Sequence, residues 1–293
     1  MSKKKTSFLS EGVRLMLISA FLYAVLNALV KDLGGRIPAV EVVFFRAVIS
    51  LAMSIVLLRR QKIPMWGNNK PVLLLRGVLG TLALILLFTT YQEMRLATAT
   101  TIHYLSPIFT ILIATVVLKE RLHRLQILFF LISFSGVIFI RGFDDQIDPF
   151  YLGIGIVSAF LAGGAYNCIR YLRHTEHPLV IVLYFPLVAM PIAGLASYYW
   201  AGWVMPEGVE WLKLLGIGVC TQVAQVMMTK AYQRAESSAV AGVTYSGIVY
   251  AILFGVFIFE ESYEWVSYLG IGIVMLGVVL NVLFPSLMKK AKK

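Results

Sequence analysis

Ten stretches of mostly apolar residues, parted by short charged or Gly/Pro-rich breaks, limit what this chain can become. They run near 13–32, 38–58, 72–91, 97–118, 124–141, 150–171, 178–201, 209–230, 238–259 and 265–284. Most are about 20 residues long, the length that carries a helix across a hydrocarbon core of about 30 Å. Of the 293 residues 59% are apolar and only 14% charged, so too little polar material remains for a separate soluble domain. In lipid an unpaired backbone group is costly, which leaves helices or a closed barrel, and the short alternating strands of a barrel are not seen. The expectation is an all-α integral membrane protein of ten transmembrane helices. The basic start MSKKKTSFLSEGVR precedes a full-length apolar run with no small-residue cleavage site, so it reads as a retained first span.

Charge sets the orientation. With the N-terminus inside, the cytoplasm receives the tail lysines 3–5, Arg59, Arg60, Lys62, Lys70 and Arg76, the loop Lys119, Arg121 and Arg124, then Arg170, Arg173, Lys230, Arg234 and the C-terminal lysines. The outside receives Lys31, Arg36, Arg95, Arg141 and Lys213, and Arg46 lies within a span. Acidic residues, led by Asp144, Asp145, Asp148, Glu207, Glu210, Glu260, Glu261 and Glu264, take the outer side. The positive-inside rule therefore places both termini in the cytoplasm of a multi-pass protein of the cell (inner) membrane. The net charge of +11 is a topology signal, and no nucleic-acid partner is expected. Cys168 and Cys220 both fall in spans and suggest neither a disulfide framework nor a metal site.

The chain also repeats itself. An offset of 141 lays Tyr91, Gln92, Tyr104, Ile111, Leu112 and Glu120 on Tyr232, Gln233, Tyr245, Ile252, Leu253 and Glu261, and Gly77 and Gly136 on Gly218 and Gly277. Offsets of 139 and 140 pair Ser19-Ala20-Phe21 with Ser158-Ala159-Phe160, Lys31 with Arg170, Pro38 with Pro178 and Phe45 with Phe185. Five spans matched in order imply two units, 1–142 and 143–293. Because five is odd, the units must point in opposite directions, and the basic KERLHR after span four facing the acidic EESYE after span nine agrees. The expected fold is thus two inverted five-helix repeats around a central cavity, a hallmark of alternating-access transporters.

Five plus five spans, the arginine in FFRAV (44–48) and a fourth span ending in LKERL (118–122) together resemble the EamA-type members of the drug/metabolite transporter superfamily. The resemblance covers nearly the whole chain and implies a basket-like bundle that moves metabolites such as amino acids, nucleosides or related solutes. Span nine carries Ile248 where span four has Pro107, so the halves need not gate symmetrically.

Polar residues within spans are the candidates for solute binding. Arg46 lies about 10 Å below the outer end of its span at 1.5 Å per residue. A buried guanidinium faces a cavity, a partner or a substrate anion; the alternative is an internal clamp to helix-end carbonyls or Glu41. Thr100, His103, Tyr104 and Pro107 share one face of span four. There Pro107 frees the His103 carbonyl and is the expected hinge. His103 is the sole histidine of a span and titrates in the range that suits protons as a coupling ion. Further stripes are Ser19, Tyr23 and Asn27 on span one; Gly163, Tyr166, Asn167 and Arg170 on span six; and Gln222, Gln225 and Thr229 on span eight. Thr244 and Tyr245 match His103 and Tyr104 on span nine. The expected binding set is Tyr23, Asn27, Arg46, His103, Tyr104, Tyr166, Asn167, Gln222, Gln225, Thr244 and Tyr245, with interhelical hydrogen bonding as the plainer role for several of them. Arg76 is expected to snorkel to the inner surface.

Two other classes compete. Asp144-Asp145-x-x-Asp148 reproduces the spacing with which prenyltransferases hold magnesium and a diphosphate. It occurs once, in an outer loop where a cytosolic diphosphate does not arrive, so an acidic turn explains it better. His174-x-x-His177 lacks the remaining ligands of a zinc site. A channel would show charge rings or a filter motif, and neither is evident. The expected activity is transport of a small-molecule solute, with the bilayer as partner and no cofactor, metal or catalytic residue.

Overall fold

The computed structural model describes residues 11–117, 124–142, 148–172, 175–234 and 245–291. Helix α1 spans Glu11–Leu33, α2 Ala39–Arg60 and α3 Lys70–Glu93. The fourth apolar run is two helices, α4 Leu96–His103 and α5 Ser106–Val117. Then follow α6 Arg124–Gly142, α7 Pro149–Leu172, α8 Pro178–Ala196, α9 Val209–Arg234, α10 Ser246–Ile258 and α11 Trp265–Ala291. Among the described residues no strand occurs. Seven helical segments, counting 96–116 as one, are long and apolar enough to cross a membrane, and 124–139, 246–258 and 265–280 are shorter apolar helices.

Local chemistry starts these helices where the apolar runs begin. Asn69 accepts a hydrogen bond from the Val72 amide at 3.4 Å just ahead of Pro71. His177 Nδ1 accepts from Leu179 at 3.2 Å to cap α8, and Asp148 Oδ1 accepts from Phe150 at 2.8 Å to cap α7. The expected continuous span four is instead interrupted. Pro107 has no N–H for the His103 carbonyl, the Leu105 amide turns back to Ile102 at 3.0 Å, and α5 starts afresh at Ser106. By contrast, Pro186 and Pro191 remain inside α8, which runs on into a five-residue π turn over Ser197–Ala201. In a bundle, neighbouring helices and local π adjustment can re-satisfy the freed carbonyls.

Four close pairs organise the bundle: α1 with α9, α3 with α7, α2 with α8, and α6 with α11. Small residues let backbones approach. A Cβ on Gly77 would lie 2.7 Å from that of Val188 in α8, and one on Gly218 would lie 2.6 Å from that of Ile49 in α2. Hydroxyls tie two of the pairs, Ser19 to the Ala224 carbonyl at 2.8 Å and Ser158 to the Ala83 carbonyl at 2.7 Å.

The end of the bundle carrying Lys31 is ringed by exposed Tyr198, Tyr199, Trp200, Trp203, Trp211 and Trp265, the signature of a membrane–water interface. Charged loops lock together there. Arg36 bonds Glu207 at 3.0 Å, Glu210 and the Met205 carbonyl, while Lys213 pairs with Asp32. The two glutamates hold the Arg36 guanidinium above even its usual high pKa. These exposed contacts supply register more than stability.

Candidate functional site

Two arginines approach one aromatic ring inside the bundle. Arg46, on α2, is 5% exposed; its Nε donates to Thr221 Oγ1 on α9 at 2.9 Å, and its guanidinium carbon lies 5.1 Å from the centre of the Phe185 ring on α8. Arg76, on α3, brings its guanidinium carbon to 4.7 Å from the same ring. The expected snorkelling of Arg76 is therefore corrected: it turns into the bundle because Gly80, one turn on, leaves room for both its head group and Phe185. Internal clamping of Arg46 by Glu41 is likewise overturned, since Glu41 accepts from the Val204 amide at 3.0 Å.

Each guanidinium offers five N–H donors. Arg46 uses Nε and leaves its buried Nη1 without a partner, and Arg76 leaves Nε and Nη1 without one. No carboxylate pairs with either among the described residues. With 5.1 and 4.7 Å to a common ring centre, the two cations are no more than about 10 Å apart. At an effective dielectric of about 20 they repel by at least roughly 1.7 kcal/mol. A desolvated cation–π contact is worth about 2 kcal/mol. Phe185 can therefore offset the repulsion but supplies no hydrogen-bond acceptor, and the pair stands as an uncompensated positive site within the membrane.

Tyrosines converge on the same place. Tyr23 of α1 is half-buried and lies within the electrostatic reach of Arg46, Arg76 and Tyr166, and the Gln225 amide of α9 reaches its hydroxyl. Tyr166 of α7, 45% exposed, lies within the electrostatic reach of Tyr23, Tyr91 and Tyr104. Asn27 donates to the Tyr91 hydroxyl at 3.0 Å. The Tyr104 ring, at the break between α4 and α5, meets that of Tyr245 at 5.2 Å, and its hydroxyl sits against Gly247, where a Cβ would collide with it.

The remaining sequence candidates divide. His103 ends α4 with its ring beside Tyr104 and a buried Nδ1 that has no partner. Gln222 donates to Ser54 at 3.4 Å and keeps an unpartnered Oε1. Asn167 turns away: its amide donates to the Thr110 and Gly163 carbonyls at 2.9 and 3.0 Å, which joins α7 to α5. Pro107 sits at the start of α5, beside the break. Thr244, Asp144, Asp145, Glu120 and His174 lie outside the described residues. Sequence reasoning missed Arg76, Tyr91, Thr221 and Phe185 as site residues. Arg76 had a usable signal, a second arginine within an apolar run.

The sequence profile of the EamA-like transporter family matches residues 10–142 and again 150–283. The chain belongs to that family. It is 35% identical over 244 residues to the pseudopaline exporter CntI of Pseudomonas aeruginosa, covering 83% of this chain and 85% of the exporter. Human solute carrier family 35 member G1 is 29% identical over 280 residues, 90% of this chain and 76% of the carrier. An uncharacterized transporter of Helicobacter pylori is 28% identical over 299 residues, 96% and 97% of the two chains. A protein of known crystal structure shares the fold at a TM-score of 0.67 and 18% identity, over 95% of this chain and 99% of that one. As an EamA family member this protein is a multi-pass membrane transporter with a small-molecule substrate. Family and relatives point to transport rather than catalysis, and Asp148, the last residue of the prenyltransferase-like spacing, serves as a helix cap.

Proposed function

We propose that this transporter carries a small organic metabolite across the cytoplasmic membrane by alternating access. Its ten spans form two inverted units, 1–142 and 143–293, with both termini in the cytoplasm. The observation that carries the reading is that contacts recur in pairs under the offsets seen in the sequence. Ser19 bonding Ala224 is matched by Ser158 bonding Ala83, with the serines 139 and the alanines 141 apart in number. Gly136 against Val274 is matched by Gly277 against Ser133, and Gly77 against Val188 is matched within one residue by Gly218 against Ile49. Tyr104 and Tyr245, equivalent by the same offset, touch each other, as residues beside a two-fold axis do. Such an axis lying in the membrane plane lets one unit rock against the other around a fixed central site. Tyr23, Asn27, Arg46, His103, Tyr104, Tyr166, Gln222, Gln225 and Tyr245 are the solute-facing set of this reading, with Pro107 as hinge. The name of the Pseudomonas relative supports outward movement.

In reconstituted liposomes uptake is expected to saturate and to show counterflow, accelerating when unlabelled solute is trapped inside. Linear, non-saturating flux would establish a channel and reject the carrier. Protons are the coupling ion this reading favours, because the His103 Nδ1 has no protein partner. An imposed proton gradient should raise initial rates several-fold, and His103→Gln should remove that gain. An unchanged gradient response in the variant would take the proton from His103.

A further inference from the structure

Most arginines inside membrane proteins find a carboxylate or a helix end. Here two share a ring and find neither. The buried or partly buried glutamates are engaged elsewhere: Glu41 with the Val204 amide, Glu176 with the Asn69 amide at 2.6 Å, Glu210 with Arg36 at 2.7 Å, and Glu261 with Lys31 at 2.9 Å. None of these contacts includes Arg46 or Arg76. The paired contacts of the two units also diverge at this point. The Phe45–Phe185 pairing aligns Arg46 with Pro186, and the Gly77–Gly218 correspondence aligns Thr221 with Gly80. One unit thus sets a guanidinium against a hydroxyl where the other has only a proline and a glycine. Arg76 has Ile217 as its equivalent and no cationic counterpart. The excess positive charge is built on one side of the axis, around one ring, with N–H donors left unsatisfied.

We infer that Arg46, Phe185 and Arg76 form the recognition subsite for an organic dianion, a metabolite bearing two carboxylates, which the two guanidiniums grip while Phe185 holds them apart. The inference rests on the carrier reading and names the substrate class of that same site. A planar guanidinium pairs with a carboxylate through two parallel N–H···O bonds, and Arg46 and Arg76 together retain enough free donors for two such pairings. Tyr23, with Gln225 at its hydroxyl, lies within the electrostatic reach of both cations and can order the uncharged part of the solute. A zwitterionic or cationic solute would need an acidic partner, and the described residues of the site offer none.

A matched five-carbon series tests this on the purified full-length protein: glutarate as dianion, glutaramide as its neutral isostere and 1,5-diaminopentane as the dication, with citrate as a larger carboxylate. Calorimetric titration and thermal unfolding should show binding of glutarate or citrate at least tenfold tighter than the amide, and none of the diamine. Arg46→Gln and Arg76→Gln should each weaken carboxylate binding at least tenfold. The Lys variants, which keep the charge and lose the fork, should fall between wild type and Gln. If Arg46→Gln does not fold, Arg76→Gln and the two Lys variants carry the test. Equal binding of glutarate and glutaramide, or carboxylate affinity unchanged by Arg76→Gln, overturns the inference. A preference for glycerol 3-phosphate over both carboxylates overturns the carboxylate assignment. Saturable counterflow of a neutral or cationic solute without any carboxylate response leaves the carrier standing and removes only the anion subsite.

Discussion

Glu261→Gln is expected to lower stability toward denaturant by about 3 kcal/mol, the lower end of what breaking a buried ion pair costs. Glu261 ties together three parts of the chain. Its carboxylate meets the Lys31 ammonium of α1 at 2.9 Å, accepts from the Leu96 amide at the start of α4 at 3.0 and 3.1 Å, and accepts from the Tyr263 hydroxyl. Tyr263 in turn accepts from the Ala97 amide at 3.2 Å. Burial and the Glu261 charge both push the Tyr263 phenol upward, so it stays protonated and remains the donor to Glu261. A carboxylate at a helix N-terminus is favoured by the helix dipole as well as by Lys31. Once the carboxylate is replaced by an amide, the Lys31 ammonium, whose side chain is only 16% exposed, loses its counter-charge and keeps the Met94 carbonyl at 2.6 Å and the Phe259 ring at 5.5 Å. Lys31→Met alone should cost less, because Glu261 would still cap α4. In the double variant the loss should fall short of the sum of the singles by more than about 1 kcal/mol. Additive losses, or a Glu261→Gln loss below about 1 kcal/mol, would mean that solvent already screens the pair. Since this cluster joins α1 to the short helix beside the Tyr104 break, the variant should also alter transport rates, a change absent if the cluster is only a surface latch.

The fold was largely legible because the bilayer reads length and hydropathy, which a sequence displays directly. Helices α1, α2, α3, α7 and α9 begin and end within a few residues of the apolar runs, and the matched serines and glycines fall at helix contacts. Rotation about each helix axis was less legible. Tyr166 and Asn167 are neighbours and therefore point about 100° apart on a helix. Tyr166 lies within the electrostatic reach of the tyrosine cluster, and Asn167 bonds the α5 backbone. Nothing in the order of letters says which of the two faces inward. Arg76 was misjudged on the same ground. Its depth near the end of α3 is compatible with snorkelling, and only the position of Gly80 and Phe185 around it turns the head group inward. Pro107 marked a weak point correctly as a sequence letter, yet Pro186 and Pro191 carry the same letter and leave α8 helical. Proline reports a missing donor, and the neighbours decide whether the helix breaks.

Alanine at Gly277 and at Gly272 should have opposite effects, although the two glycines lie on the same helix, α11. In an exposed helix Gly→Ala stabilises by up to about 1 kcal/mol, because glycine loses more backbone freedom on folding. A Cβ at Gly272 meets nothing within 4 Å, so that variant should be neutral or slightly more stable. At Gly277 the added carbon would run into the Ser133 hydroxyl and lie 2.6 Å from the Phe129 carbonyl and 2.7 Å from the Ser133 amide of α6. These last two are backbone atoms in a helix and cannot swing aside. The α6–α11 pair must then separate, losing its close packing and weakening the bond from Ser133 Oγ to the Val274 carbonyl at 3.4 Å. Lipid tails are as apolar as the side chains, so close packing is much of what holds two such helices together. An overpacked contact of this kind costs about 3 kcal/mol. Gly136→Ala offers an internal replicate, because its Cβ would lie 2.6 Å from the Val274 amide and 2.8 Å from the Gly270 carbonyl, the same collision seen from the other unit. If the inverted two-fold relation governs packing, denaturant unfolding should give Gly136→Ala and Gly277→Ala losses that agree within about 1 kcal/mol, with a double variant that falls short of additivity because both report on one crossing. A tolerated Gly277→Ala would remove the close crossing, and a large loss at Gly136 alone would remove the symmetry.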